Sequence, residues 1–431
     1  MQFYSTNSPD VKVSLKEAVL RGLASDKGLF MPEVIPHLDA SFFGDIQNKS
    51  LPEIGFEVLK PFFCPDIPEE TFKAIVEDAL NFPIPTVPVS KNIYSLELFH
   101  GPTLAFKDVG ARFMARILSY FVQDQEKEIN ILVATSGDTG SAVANGFFEV
   151  PGINVFVLYP KGLVSQVQEK QFTTLGKNIT SIEVDGTFDD CQRMVKEAFL
   201  DQELNDQLVL TSANSINLAR LLPQSVYYHH AYAQLKKAGI KEDVVFCVPS
   251  GNFGNLTAGL VAREMGLPVK KFIAATNIND IVPKYLVTGE YVPAPSKSTI
   301  ANAMDVGDPS NFVRIMDLYD ADHSLVSARV EGLSYTDDEI RVGIKRVDDS
   351  CRYVMDPHGA TAFMALENKL KSGEMGVFLE TAHPAKFPEV VETVIGRAVV
   401  VPERLQAFMK GVPQSSRLSA NLKELKAFLL K

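Results

Sequence analysis

The sequence is poor in the features that mark several whole classes of function. Its four cysteines, Cys64, Cys191, Cys247 and Cys351, are scattered along 431 residues with no C-x-x-C pair and no metal-ligand spacing. That argues against a zinc module or a disulfide scaffold, and is read as reduced core thiols in a reducing compartment. No apolar run approaches the roughly 20 residues that a membrane helix needs. The first residues, Met1-Gln2-Phe3-Tyr4-Ser5, have neither the character of a secretory signal nor the arginine richness of a transit peptide. The expectation is a cytoplasmic protein. Positive charge is in deficit: the formal net charge of −11 argues against nucleic acid or an anionic membrane as partner. There is no G-x-G-x-x-G and no Walker A motif, which disfavours a dinucleotide or a nucleoside triphosphate. A dehydrogenase would also lack its ribose-binding acid. Internal repeats and low-complexity segments are absent as well.

What remains is an ordinary globular composition, 46% hydrophobic and 22% charged, in a chain long enough for two or three packed domains. Residues 1–90 read as a mainly helical front segment. It has a helix over Val13–Leu23 capped near Ser14, and two more near 51–62 and 68–80. The proline-rich passage Phe82-Pro83-Ile84-Pro85-Thr86-Val87-Pro88 stops helices and marks the junction. From residue 92 the pattern alternates strand and helix. Strand-like apolar runs fall at 92–99, 129–134, 154–159, 180–184, 208–211, 244–248, 272–275 and 376–379, and a long helix is expected from Ile216 to Ala238. Continuous apolar strands of this kind predict parallel sheets covered on both faces, an α/β fold whose ligands gather beyond the carboxyl ends of strands. Two α/β domains, 91–215 and 216–431, are expected, with 278–312 as a mobile cover or a long connection.

Three loops at strand ends carry candidate chemistry. The first is His100-Gly101-Pro102-Thr103-Leu104-Ala105-Phe106-Lys107-Asp108, followed by a helix with Val109, Phe113, Ile117 and Phe121 on one face. Asp108 reads as its N-cap. Lys107, between apolar walls and the positive end of a helix, should lose its proton easily, as a Schiff-base lysine must. The second is Ser250-Gly251-Asn252-Phe253-Gly254-Asn255, a glycine turn before a helix that suits a phosphate. The third, Thr135 to Ser141, brings Ser136, Asp138, Thr139 and Ser141 to a helix start and suits a substrate anion. Thr381, just after a strand, offers one hydroxyl for a ring nitrogen. His100 and His383 are acid–base candidates or turn residues, and His229-His230 reads as structural, with no metal expected. An imine-forming lysine, a phosphate cradle, a ring-nitrogen partner and a carboxylate pocket together are what pyridoxal 5'-phosphate asks for.

These residues also resemble a known family. Gly22-Leu23-Ala24-Ser25-Asp26-Lys27-Gly28-Leu29, Leu98 to Thr103 with Ala105 to Asp108, Thr135 to Ser141, Asn214-Ser215-Ile216-Asn217 with Arg220, Pro249 to Gly254, and Thr381 to Phe387 resemble blocks of threonine synthases with a long N-terminal segment. The resemblance spans nearly the whole chain. It implies the fold of the tryptophan synthase β subunit (fold type II), with the cofactor between two α/β domains. It implies Lys107 as Schiff-base and catalytic residue, Gly251, Asn252, Phe253, Gly254 and Asn255 around the cofactor phosphate, and Thr381 at the pyridine nitrogen. Asp138 falls at a cofactor loop position where relatives often carry asparagine. Ser136, Thr139, Ser141, Asn217 and Arg220 are the implied substrate-binding residues. The implied reaction converts O-phospho-L-homoserine and water into L-threonine and phosphate, in a monomer or homodimer. Competing readings are a related phospholyase that yields 2-oxobutyrate, a serine or threonine dehydratase, and a non-catalytic sensor of a phosphorylated metabolite.

Overall fold

A computed structural model describes residues 1–123 and 127–431. Among the described residues, fourteen strands form three sheets. Their ranges are β1 Gln2–Ser5, β2 Ser8–Ser14, β3 Phe30–Pro32, β4 Thr86–Ser90, β5 Ile93–Glu97, β6 Ile129–Ala134 and β7 Ile153–Pro160. The rest are β8 Ile179–Asp185, β9 Val209–Ser212, β10 Asp243–Pro249, β11 Lys271–Thr276, β12 Val330–Ser334, β13 Glu374–Glu380 and β14 Ser416–Ser419.

The front segment differs from expectation in beginning with a three-stranded antiparallel sheet, β2-β1-β3. Its strands are short and β2 is largely exposed, so they carry no apolar alternation to announce them. The first helix is shorter than expected, Leu15–Arg21. Ser14 accepts the amide of Glu17, and Gly22 ends the helix at φ 68°. After a short unexpected helix, Ala40–Asp45, the other two expected helices lie where the periodicity puts them, Leu51–Phe63, with a Ser50/Glu53 capping box, and Glu69–Ala79.

The body has two larger sheets. One has the order β12-β11-β10-β13-β5-β4, parallel except for the edge pair β4–β5, where Pro88 is tolerated because an edge strand need not donate on both sides. The other is wholly parallel, β14-β8-β7-β6-β9. Strand pairing crosses the expected segment borders three times, once by β4, from the end of the front segment, which edges the sheet built mainly from 243–380. β5 joins that same sheet, and β14, from the end of the chain, joins the sheet of 129–212. Chain order does not fix spatial order when crossovers are long. The expected helix from Ile216 to Ala238 is broken into Leu218–Leu221 and Ser225–Lys237, with Pro223, which has no amide to donate, in the turn between. The stretch 278–312 contains a helix, Ile281–Thr288. The rest is pinned rather than loose, since Asp305 accepts from Thr299 Oγ1 at 2.7 Å, Thr299 N at 3.0 Å and Asn277 Nδ2 at 2.8 Å.

The front segment is locked to the body by Arg314, a fully buried guanidinium in the helix Phe312–Leu318. It donates to Phe30 O at 3.0 and 3.2 Å, to Ile216 O at 2.7 Å and to Asn311 Oδ1 at 2.7 Å. Burial lowers its pKa to about 9, which leaves it charged at neutral pH. Replacing it with methionine keeps the volume and strands two carbonyls and an amide oxygen. Arg314→Met is expected to cost about 3 kcal/mol of stability, measured by denaturant unfolding, and a loss below about 0.5 kcal/mol would show that the lock is dispensable.

Candidate active site

Because β5, β13 and β10 are adjacent and parallel, their carboxyl ends point the same way. The loops that follow them, 98–106, 381–387 and 250–253, therefore share one edge of the sheet. The first two are joined directly. Phe106 N donates to Thr381 O at 2.8 Å, His383 N to Leu104 O at 3.0 Å, and Ala105 bridges Ala382.

Lys107 is the first residue of the helix Lys107–Val122, whose inner face is apolar. Asp108 is not the N-cap. It lies inside the helix, at its second position, and its carboxyl turns back to accept the amide of Thr103 at 2.8 Å and its hydroxyl at 2.6 Å. This clamp needs Gly101, where a Cβ would stand 2.5 Å from Asp108 Oδ2. Leu104, within the same turn, takes φ 60°, a conformation costly for a side chain of that size. Among the described residues Lys107 Nζ forms no ion pair, and the ring of Phe106 lies 5.8 Å from it. Burial lowers its pKa to about 8; Asp138 opposes the shift, and the cations Arg220 and Lys386 add to it. About a tenth of the amine is then neutral at pH 7, against roughly three in ten thousand for an ordinary lysine.

Asp138 finds its partner in Lys386, fully buried, whose Nζ lies 2.6 Å from Asp138 Oδ1. Gln168 Nε2 donates to the same oxygen at 2.8 Å. Burial alone would raise the Asp138 carboxyl, but Lys386 and Lys107 hold it well below the usual carboxylate range. Lys386 also donates to Thr103 O at 2.8 Å, and so ties the Lys107 turn to the 135–141 loop. The reading of residue types alone gave Lys386 no role. The available signal was a lysine inside the apolar block Pro384-Ala385-Lys386-Phe387.

At the glycine turn, Phe253 has φ 60° and starts the helix Gly254–Glu264 with no side-chain cap. Its first-turn amides are thus open to an acceptor. Gly251 lies against the backbone of 303–304, where a Cβ would sit 2.5 Å from Ala303 O. Asn252 spends its side chain on Ser215 Oγ, 3.0 Å, and Ser310 N, 2.7 Å. Asn255 accepts from the hydroxyls of Tyr227, 2.5 Å, and Tyr228, 2.6 Å, while its buried Nδ2 has no partner. Thr381, 6% exposed, sits one residue beyond β13.

The residues expected to meet substrate separate into two groups. Ser136, in the turn before the helix Asp138–Phe147, and Thr139, in that helix's first turn, are partly exposed. Ser141 is fully buried and donates to Gly137 O and Gln168 O, both at 3.1 Å. Thr135 Oγ1 takes up the amides of Gly137 and Gly140 at 2.9 and 2.7 Å. Asn217 is the N-cap of Leu218–Leu221 and donates to Val19 O at 2.9 Å, so its polar atoms are also committed. The side chains of Ser141 and Asn217 are thus both engaged within the chain. Arg220 is buried against Gly110, one turn beyond Lys107, and its Nε has no partner. His100 bonds Glu97 Oε2 at 2.7 Å, and His383 Nδ1 accepts the amide of Ala385 at 3.1 Å. Both stabilise turns in the structure.

The chain's similarities agree with this layout. A model for threonine synthase N termini matches residues 2–80, one for pyridoxal-phosphate-dependent enzymes matches 84–379, and one for threonine synthase C-terminal regions matches 359–429. Threonine synthase of Haemophilus influenzae is 45% identical over the full length of both chains. The crystal structure of threonine synthase from Escherichia coli superposes with TM-score 0.94 at 41% identity, covering 100% of this chain and 99% of that one. A structure of pyridoxal-phosphate-bound threonine synthase from Brucella melitensis gives TM-score 0.93 at 35% identity, covering 100% and 98%.

The environment of Lys107 makes a pH prediction. Only the neutral amine attacks an aldehyde, so imine formation with pyridoxal phosphate should speed up with rising pH and level off above about pH 8. Removing the opposing anion by Asp138→Asn should move that plateau to lower pH. Stopped-flow absorbance of the imine band reads both. A wild-type rate still climbing at pH 10 would contradict the lowered value.

Proposed function

The chain belongs to the threonine synthase family of pyridoxal-phosphate-dependent enzymes, and from that premise we propose how its residues divide the work. It is a lyase of that family, and we infer its substrate to be O-phospho-L-homoserine, converted with water into L-threonine and phosphate.

The residues fit the cofactor. The buried Nδ2 of Asn255 is a donor lacking an acceptor, the first-turn amides after Phe253 lack a cap, and Gly251 leaves no room for a side chain. In our reading Gly251, Asn252, Phe253, Gly254 and Asn255 hold the phosphate, Asn252 through its backbone because its side chain braces the turn. Thr381 meets the ring nitrogen with a neutral hydroxyl. When bound, pyridoxal phosphate supplies the aldehyde that Lys107 captures and the electron sink for carbanionic chemistry.

Lys107 Nζ is the proton carrier. It takes a proton from substrate Cα, gives that proton up, and so regains the free amine that takes one from Cβ; phosphate leaves from Cγ, water adds at Cβ, and protons return to Cα and Cγ. Its depressed pKa keeps a usable neutral fraction at physiological pH, and Lys386 neutralises Asp138 so that this carboxylate does not hold Lys107 charged. Ser136, Thr139 and the unpartnered Nε of Arg220 are the candidates for the substrate's anionic groups. A neutral partner at the ring nitrogen drains less charge into the ring, which suits reaction at Cβ and Cγ. We place the enzyme in the cytoplasm, as a monomer or homodimer. We also keep the division into a front segment and two α/β units, with β5 counted in the larger and β14 in the smaller.

The observation that carries this reading is the lowered pKa of Lys107 at the edge shared by the glycine turn and Thr381. Turnover of O-phospho-L-homoserine should release threonine and phosphate in equal amounts, and Lys107→Ala should abolish it. Release of 2-oxobutyrate in place of threonine would move the protein to the phospholyase reading, and full activity in Lys107→Ala would remove the assignment.

A further inference from the structure

A ring held at one end by Thr381 and at the other by the 251–255 turn binds tightly only if the two loops keep a fixed separation. They leave different strands, β13 and β10, and pairing between these strands ends at Cys247 and Phe378, short of either loop. Two buried residues outside both loops connect them.

Asp356 starts the helix Pro357–Lys369. Its Oδ1 accepts the amides of His358, 2.5 Å, and Gly359, 3.3 Å, as an N-cap does. It does more than cap. The same oxygen lies 2.7 Å from His358 Nδ1, and Oδ2 accepts the amide of Ala382, 3.0 Å, the residue next to Thr381. His358 Nε2 accepts the amide of Ala303 at 3.2 Å. A ring nitrogen that accepts is unprotonated, so Nδ1 carries the proton and donates it to Asp356, and the two contacts select one tautomer. Ala303 and Met304 form the wall behind Gly251, where a Cβ would lie 2.5 Å from Ala303 O and 2.8 Å from Met304 Cα. The path is continuous: Ala382, Asp356, His358, Ala303, Gly251. Asp356 is fully buried and His358 is 3% exposed, so water does not compete for these bonds. Glu380 backs the path, accepting the Asp356 amide at 2.6 Å. It also closes the space over Gly359, where a Cβ would lie 1.6 Å from Glu380 Oε2.

We propose that Asp356 and His358 form a brace that sets the separation of the Thr381 loop from the wall behind Gly251, and so tunes affinity for the phosphorylated cofactor. Both are positioning residues, acting through the backbone amides they hold. The proposal rests on the assignment of Thr381 and the 251–255 turn to the two ends of the cofactor.

Three variants separate a brace from a mere helix cap. Asp356→Ser retains an N-cap hydroxyl but cannot span to Ala382 and His358 together. His358→Asn retains a donor toward Asp356 but falls short of Ala303. His358→Gln reaches Ala303 with an acceptor. The dissociation constant of pyridoxal phosphate, titrated by the visible imine band, should rise about tenfold in Asp356→Ser and His358→Asn, the scale of one buried hydrogen bond. His358→Gln should recover most of the loss. Hydrogen exchange on the holoenzymes should increase at 300–305 and 381–383 and stay unchanged in β6, β7 and β8. Wild-type affinity in both Asp356→Ser and His358→Asn would overturn the brace. So would exchange rising throughout the protein, or a His358→Gln no better than His358→Asn. A wild type that forms no imine band would overturn the parent assignment and the brace with it, whereas a normal wild-type band with unaffected variants would overturn the brace alone.

Discussion

The structure depends on keeping one amine, Lys107, in an interior where charge is balanced without being cancelled at that amine. Burial alone drives the pKa of a lysine down, and a carboxylate in contact would restore it. Here the nearby carboxylate of Asp138 is already engaged by Lys386 at 2.6 Å and by Gln168 at 2.8 Å. Lys107 feels its field without pairing with it. A buried ion pair is a poor source of stability, since desolvating two charges offsets most of their attraction. The Lys386–Asp138 pair is better understood as setting the potential at a third group. Its second bond, from Lys386 to Thr103 O, makes the same residue a clamp on the turn that aims Lys107.

That turn is effective because of sheet order. β5 lies beside β13, and β13 beside β10, although more than a hundred residues of chain separate β5 from either of the other two. The parallel arrangement sends all three carboxyl ends to one edge, which is where ligands of open α/β sheets collect. Placing β5 in the smaller unit, as its neighbours in sequence suggest, would have put the lysine on a sheet apart from the turn and the threonine. The crossing of segment borders by β5 is therefore what assembles the site.

Residues whose place in the fold is local could be read from the chain alone. Lys107 follows a strand, a Gly-Pro turn and an apolar period, the 250–255 turn follows a buried strand, and Thr381 follows another. One residue type can serve two purposes. Asp108 beside a helix start resembles an N-cap, but a cap must precede the first turn, and one residue of displacement sends its carboxyl to Thr103 instead. Ser141 and Asn217 have ligand-like side chains that the fold spends on backbone carbonyls. Lys386, Asp356 and His358 act on residues distant in sequence, and no local pattern encodes such a partner. The strands not named as such, β1, β2, β4, β12 and β14, are short or lie at sheet edges, where burial imposes little alternation.

The site also stores backbone strain in two matching places. Leu104 and Phe253 both adopt φ 60°, where glycine would be at ease, and each lies within three residues of a position we propose to be functional, Lys107 in one case and the first helical amides in the other. Such conformations cost of order 1 kcal/mol or more and persist only where surrounding packing dictates them. Around Leu104 the dictating contacts are Gly101 O, which accepts its amide, and His383 N, which donates to its carbonyl. Around Phe253 they are the ring of Phe312 and the carbonyl's bonds to Thr257 N and Oγ1. A glycine at either position would relieve the strain but loosen the loop, because its unfolded and alternative states are more numerous. The bulky residues therefore trade a small fixed cost for a single loop geometry, which an amine and a set of helix amides must share if they are to hold the two ends of one small molecule.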